Sequence, residues 1–371
     1  MTQTTTTAVP QREGRLAPGS RTDRLVKRQR VLDILDAAGQ DSLLLTTNTA
    51  LTWYLDGSRV HISLAGDPIA AVLVDRGGDH LVTFNNEAGR ITAEELPAGV
   101  NLHTVPWYGN LHQAAAAVGN SSRPPMAEAD AAAQLRAARQ QLLPAESARY
   151  SLLSAELAGI MTDVLSAARP DTTEFGLVSA LAARVVGAGA EPLVLLCNGS
   201  SRSTFRHPLA THSPLGRRAM AVVCARRDGL VANITRWIRF DAGTPEERDA
   251  EARIAAVEAD IFDATVPGAR LDRIFAEIQA AYVRHGFGAD QWEQHHQGGP
   301  AGYAGRDPRV TSEATDTVVL GQAFTWNPSG PGVKIEDTVQ LTESGLQVLT
   351  VDPRWPVTTV NGLDRPATLQ L

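Results

Sequence analysis

Apolar residues recur at helical spacing from Arg21 to about Gly39, with Leu25, Val26, Val31, Leu32, Ile34 and Leu35 marking the pattern and Gly39 supplying a stop. Three short apolar runs follow, DSLLLTT (Asp41 to Thr47), IAAVLVD (Ile69 to Asp75) and HLVTF (His80 to Phe84), each bounded by Asn, Gly or Asp. Runs of that length read as buried strands of a mixed sheet, so a helix and three strands predict an α/β domain at the N-terminus. Between two of the strands lies TWYLDGSRVH (Thr52 to His61), and NNEAGRITAEEL (Asn85 to Leu96) follows the third. Both read as loops, and loops mixing aromatic and charged residues either carry binding residues or are simply solvated. Ala127 to Gln141 is rich in helix formers, and Leu143-Pro144 breaks it before a long amphipathic helix starts near Ala145. The break divides the chain into residues 21–142 and residues 143–371.

After the break one order of elements occurs twice. A long helix closes at Pro170, a second spans Glu174 to Gly187 and strands follow; then a long helix closes at Pro267-Gly268, a second spans Ala269 to Gly286 and strands follow again. Such recurrence predicts a pseudo-symmetric α/β domain of two halves, with a site expected where the halves meet.

Length and composition narrow the class. A chain of 371 residues is large for one core, and 43% hydrophobic with 20% charged residues is ordinary for a globular protein. No apolar run reaches the roughly 18 residues that would span a bilayer. The Thr-rich stretch Met1 to Pro18 lacks an apolar segment of signal-peptide type, so residues 1–20 read as a disordered tail and the protein as cytoplasmic. A net charge of −7, with KRQR (Lys27 to Arg30) as the sole basic block, argues against nucleic acid and leaves small molecules or peptides as partners. Cys197 and Cys224 both sit in apolar stretches and read as buried, reduced thiols.

Three segments carry polar side chains between buried strands, a costly arrangement unless a site uses them. They are RHPLATHSPLGRRAMAVVCARRDGLVANITRW (Arg206 to Trp237), HHQGGPAGYAGRDP (His295 to Pro308) and FTWNPSGPGVKIEDTVQLTESG (Phe324 to Gly345). In order and spacing they resemble the M24 family, the pita-bread fold of methionine aminopeptidase, aminopeptidase P, prolidase and creatinase. The resemblance implies a creatinase-type N-terminal α/β domain, a pita-bread domain over residues 143–371 and a homodimer. It also implies, for the peptidases, two divalent ions held by two aspartates eleven apart, a histidine in a GHGxG turn and two glutamates.

Carried over one by one, most of those positions lack a ligand here. The second aspartate falls on Asn233 in GLVANITR, and counting back eleven reaches Val222, or Cys224 with a slip of two. The histidine falls on Gly299 in GGPAG and the first glutamate on Asn327 in TWNP, while the last survives as Glu336 in IEDT. One carboxylate from five ligands does not make a dinuclear centre, so no metal and no cofactor are expected. What the resemblance leaves is His207, four residues before Thr211, at the family's substrate-facing histidine, and His295 at a second family histidine.

Creatinase works in this fold without metal. Its resemblance implies His207 as general base and acid, with His295 beside it and Glu336 as an anionic anchor for an amine or amidine. His296, Asn233, Tyr303, Arg306, Trp326 and Asn327 complete the expected substrate-binding set. Arg306-Asp307 stands where the peptidases show His-Glu, so Arg306 either binds a substrate carboxylate or forms a local salt bridge. Arg236, in the retained I-T-R element, reads as a structural anchor. The expected function is metal-independent acid/base chemistry on a small amino-acid-like or amidino substrate: C–N hydrolysis, or a lyase or isomerase step. Two alternatives stand beside it: an inert pita-bread domain that binds a partner, and an Xaa-Pro-type metallopeptidase with a site rebuilt from His207, His295, His296, Asp307 and Glu336.

Overall fold

The computed structural model describes residues 21–119 and 123–371; the expected N-terminal tail lies outside the described residues. The first helix, Arg21–Ala38, ends before Gly39, whose φ of 60° is the left-handed conformation that stops a helix at little steric cost. Five strands follow: β1 Ser42–Leu45, β2 Ala70–Asp75, β3 Asp79–Phe84, β4 Asn101–Val105 and β5 Met126–Ala127. They form one mixed sheet in the order β4-β3-β2-β1-β5. The expected loop at Thr52 to His61 is corrected at its start, because a helix spans Asn48–Tyr54 and buries Trp53 and Tyr54. Thr47 caps that helix by accepting from the Ala50 N–H, the N-cap chemistry of a threonine. The expected loop Asn85 to Leu96 likewise holds a helical turn over Ala88–Arg90 and a wider one over Ile91–Glu95.

A helix over Ala132–Gln140 leads to the long helix Pro144–Ser166, which starts at the expected proline because a ring at the first helical position removes an N–H that has no partner there anyway. The helix Glu174–Gly187 and strands β6 Glu191–Asn198, β7 Arg218–Arg227 and β8 Leu230–Arg239 complete the first half. The order then repeats with helices Pro245–Ala264 and Leu271–Arg284 and strands β9 Gly298–Ala301, β10 Ala323–Trp326, β11 Ser329–Gly330, β12 Val333–Lys334, β13 Asp337–Thr342 and β14 Gly345–Val348. A hairpin of β15 Val357–Val360 and β16 Leu363–Pro366 precedes β17 Leu369–Gln370, which adds in parallel to β8. The sheets are ordered β17-β8-β7-β6 and β14-β13-β10-β9, and they meet where Thr235 of β8 bridges Glu336 next to β13.

One apolar core runs from Val31 and Trp53 through Tyr150, Leu157 and Leu181 to Ile234, joining the first sheet to the second. A second core, including Phe262, Ile274, Tyr282, Phe324 and Trp326, lies under the other half. Where the N-terminal part meets the rest, a charged network is buried. The Lys27 ammonium lies 2.6 Å from Asp56 and 2.7 Å from Glu146, Arg149 donates to Asp56 at 2.8 Å, and the Tyr303 hydroxyl donates to Glu146 at 2.7 Å. Opposite charges at this spacing offset much of the desolvation that each would suffer alone.

Candidate functional site

The cleft of interest lies where the two sheets meet, and β6, β7 and β8, the His295 to Pro308 segment and the β10 to β13 region supply its walls. It encloses about 760 Å³. Alternation along the strands decides what faces it. Val222 on β7 and Asn233 on β8 both line it, and Cys224 lies directly across the ladder from Asn233. Lys334 and Glu336, two residues apart, present both charged ends to the same space.

Glu336 is 2% exposed, and both its oxygens are already engaged. Arg306 Nη2 donates to Oε1 at 2.7 Å, while Lys334 Nζ and the Thr235 hydroxyl reach Oε2 at 2.8 and 2.7 Å. Burial alone would raise its pKa, but Lys334 and Arg306 overturn that and hold the carboxyl well below the usual range. The expectation of Glu336 as a free anchor for an amine is therefore corrected: its charge is spent on two side chains of its own chain.

The three histidines come together. His207 and His295 share a proton between their Nε2 atoms at 3.0 Å, and the ring of His296 stacks on His295 with centroids 4.4 Å apart. His207, exposed at the cleft, is carried by a loop that Glu174 holds at both ends, accepting from the Gly199 N–H at 2.8 Å and from both Thr211 N and its hydroxyl at 2.8 Å. Burial first, and Lys334 second, push the His295 pKa down to about 2; burial, then Arg306 and Arg309, push His296 down to about 4. His207 is lowered as well, by burial and then Lys334. All three are neutral imidazoles near pH 7, able to accept a proton or a metal ion.

Two expected binding residues are not in the cleft. Trp326 is fully buried, stacked on Phe324 with centroids 5.7 Å apart in the second core, because its side of β10 faces the helices. Tyr303 is 4% exposed and belongs to the buried charge network, its hydroxyl on Glu146. Asp307 is paired with Arg139 at 2.5 Å, away from Arg306. Arg236 donates to Asp337 and to the Thr350 carbonyl, each at 2.8 Å, as an anchor would. Asn233 and Asn327 do line the cleft, and Asn327 Oδ1 is buried with no hydrogen-bond partner among the described residues. Lys334 and Arg309 were not anticipated. The alternation of Lys334 with Glu336 in VKIED was the available signal for the first, and nothing local marked the second.

A dinuclear metal centre of the kind described for the peptidases does not fit these residues. Val222, Asn233 and Asn327 offer no anionic ligand, and the surviving carboxylate is enclosed by two cations. Gly299 is no vacancy for a lost histidine: at φ 140° a Cβ there would stand 2.6 Å from the Pro308 carbonyl oxygen. Among the described residues, the His207, His295 and His296 nitrogens, within 4.8 Å of one another, are the grouping that could ligate one transition metal. Lys334 and Arg309 beside them oppose added positive charge.

A family model described as metallopeptidase family M24 matches residues 153–343. No curated protein matches the chain. Among solved structures, a prolidase from Pyrococcus horikoshii OT3 superposes with a TM-score of 0.74 at 17% identity, covering 88% of this chain and 99% of the other. An Xaa-Pro dipeptidase from Bacillus anthracis does so with a TM-score of 0.73 at 15% identity, covering 94% and 100%. The N-terminal domain of the FACT complex subunit SPT16 from chickpea, Cicer arietinum, follows with a TM-score of 0.66 at 13% identity, covering 89% and 97%. At such identities these likenesses establish a common fold, with an N-terminal domain in front of a pita-bread domain.

Proposed function

Because the chain belongs to metallopeptidase family M24, we propose that it is a hydrolase or lyase of that family which has exchanged metal chemistry for acid/base chemistry centred on His207. The observation that carries this is the double engagement of Glu336 by Lys334 and Arg306, which puts fixed positive charge where a peptidase would need free carboxylates. A neutral imidazole next to fixed cations is a competent general base, and the cations can stabilise an oxyanion as it forms.

For C–N hydrolysis the proton balance is simple. His207 takes a proton from water as the water oxygen bonds to the substrate carbon, then delivers that proton to the departing nitrogen as the C–N bond breaks. His295 holds the His207 ring through the 3.0 Å hydrogen bond and sets which nitrogen is free to accept. The second reading, a metallopeptidase with a rebuilt site, draws on the clustered imidazoles, whose lone pairs lie within 4.8 Å. Elemental analysis of purified protein separates the two. The proposal expects less than about a tenth of a divalent ion per chain and turnover that withstands EDTA but is lost in His207→Ala; one ion per chain, removed together with activity, would overturn it.

A further inference from the structure

Away from the cleft, a second cavity of about 680 Å³ lies between the N-terminal domain and the long helix Pro144–Ser166, and it shares no lining residue with the first. The loop after the helix Asn48–Tyr54 contributes Arg59 and His61 to its walls, and the turn joining β7 to β8 adds Arg226 and Arg227. Each of the four arginines that line it already holds a carboxylate. Arg59 Nη2 lies 3.0 Å from Glu94, Arg149 Nη2 2.8 Å from Asp56 and Arg226 Nε 2.6 Å from Glu191, while Arg227 is paired with Glu156. Charge is answered pair by pair, so the walls are dense in hydrogen-bonding groups without calling for an anion or a cation.

Two of these side chains leave a polar atom unanswered. His61 is 9% exposed at its side chain, and its Nε2 lies 2.6 Å from Glu191 Oε1. Burial would raise the Glu191 carboxyl, but hydrogen bonds from His61 and Arg226 hold it below its ordinary value, so at neutral pH it is an ionised acceptor. A partner that can only accept fixes a proton on Nε2, and in the neutral ring Nδ1 is then a lone pair. That atom is buried with no hydrogen-bond partner among the described residues. Arg149, on the long helix and 5% exposed at its side chain, has its Nε–H in the same condition. One buried atom lacks a donor and the other an acceptor, and hydroxyl groups, which both donate and accept, relieve the two together.

We infer that this cavity binds a small neutral polyol, a sugar or a cyclitol, with one hydroxyl donating to His61 Nδ1, another accepting from Arg149 Nε and others bridging the ion pairs of Arg226 and Arg227. The contacts of those two guanidiniums do not use all five of the N–H groups on each. Leu152, 50% exposed on the long helix, is the one large apolar side chain on the walls and offers a surface for the C–H face of a ring. At Gly187 an added Cβ would meet nothing within 4 Å, so the wall at the end of that helix is open. The volume falls in the range of about 300–1,000 Å³ typical of small-molecule sites. Because none of these residues belongs to the cleft, the inference stands whether or not the chemistry at His207 uses a metal.

The test is saturation-transfer NMR titration of the full chain with glucose, trehalose and myo-inositol, against sulfate and methylammonium as charged counterparts. Saturable binding of at least one polyol with a Kd at or below about 1 mM, and none of either ion, is the expected result. Leu152→Trp, at a half-exposed helical position outside the ion pairs, fills the cavity and weakens that polyol at least about tenfold while the circular dichroism of the fold is kept. His61→Phe removes Nδ1 and weakens it about tenfold, the worth of one well-placed hydrogen bond, and His61→Asn, which returns an acceptor near the same place, recovers part. Should His61→Phe fail to fold, Leu152→Trp still decides. Absence of saturable polyol binding, which would leave the cavity to water, tighter binding of sulfate or methylammonium, or unchanged affinity in either folded variant would overturn the inference.

Discussion

Replacing Lys334 by methionine keeps the length of the side chain and removes its charge. Lys334 and Glu336 are 6% and 2% exposed at their side chains and 2.8 Å apart, so the variant leaves a carboxylate that water cannot reach. Breaking a buried pair by removing one partner costs about 3–5 kcal/mol. Arg306 Nη2 at 2.7 Å and the Thr235 hydroxyl at 2.7 Å still serve Glu336, which puts the expected loss at the lower end, about 3 kcal/mol. For a domain of this size each kcal/mol moves Tm by roughly 2–4 °C, so Lys334→Met melts about 6–12 °C below the parent. The sign with pH is fixed by the depressed carboxyl: its contribution is present above the unfolded glutamate value of about 4.3 and fades as pH falls through the folded value, so the gap between parent and variant is widest near neutrality. Scanning calorimetry at pH 7.5 and 4 measures it. A drop under about 2 °C at neutral pH would mean that the ammonium is solvated and that the cations are no fixed part of the cleft.

Two further outcomes follow from the same surroundings. The unfolded chain protonates histidine below about 6.5, whereas folded His295 and His296 resist down to about 2 and about 4, so each removes up to about 1.4 kcal/mol of stability per pH unit as pH falls from 6.5 toward 4. Urea melts between pH 7.5 and 4.5 should show that slope, flattened in His295→Gln; a pH-independent midpoint refutes the burial of neutral imidazoles. Burial, with Glu336 nearby, pushes the Cys224 thiol up to about 12, so iodoacetamide at pH 8 should modify it only in urea, and rapid labelling of the native protein would contradict that.

Much of the fold was legible because periodicity and proline punctuation report local structure directly. The helix expected over Glu174 to Gly187 occurs as such, and Pro144 opens the long helix. Chemistry at the cleft was less legible, because a motif position does not say which way a strand turns its side chains in a particular sheet. Trp326 and Asn327 are adjacent in sequence, yet one packs under the sheet and the other lines the cleft. Tyr303 looked like a contact residue because it sits in a glycine-rich turn, but its partners Lys27 and Glu146 are 276 and 157 residues away along the chain. No local pattern announces such a pairing. Lys334 escaped for the opposite reason: a lysine beside a glutamate is the commonest of surface patterns, and only burial gives it meaning.

The charge network around Lys27 imposes an order on the life of the chain as it is made. Synthesis delivers Lys27 and Asp56 early, Glu146 and Arg149 after the first sheet is complete, and the hydroxyl of Tyr303 only when most of the protein has left the ribosome. Until Glu146 arrives, an ammonium meant for a dry interior has a single carboxylate to hold it, and closing the interface over that pair would bury Asp56 without its guanidinium. The N-terminal sheet can form on its own schedule, but the face that carries Lys27 must stay wet and wait. Nascent chains stalled before residue 146 should therefore expose this face to water, and chains released after residue 303 should not.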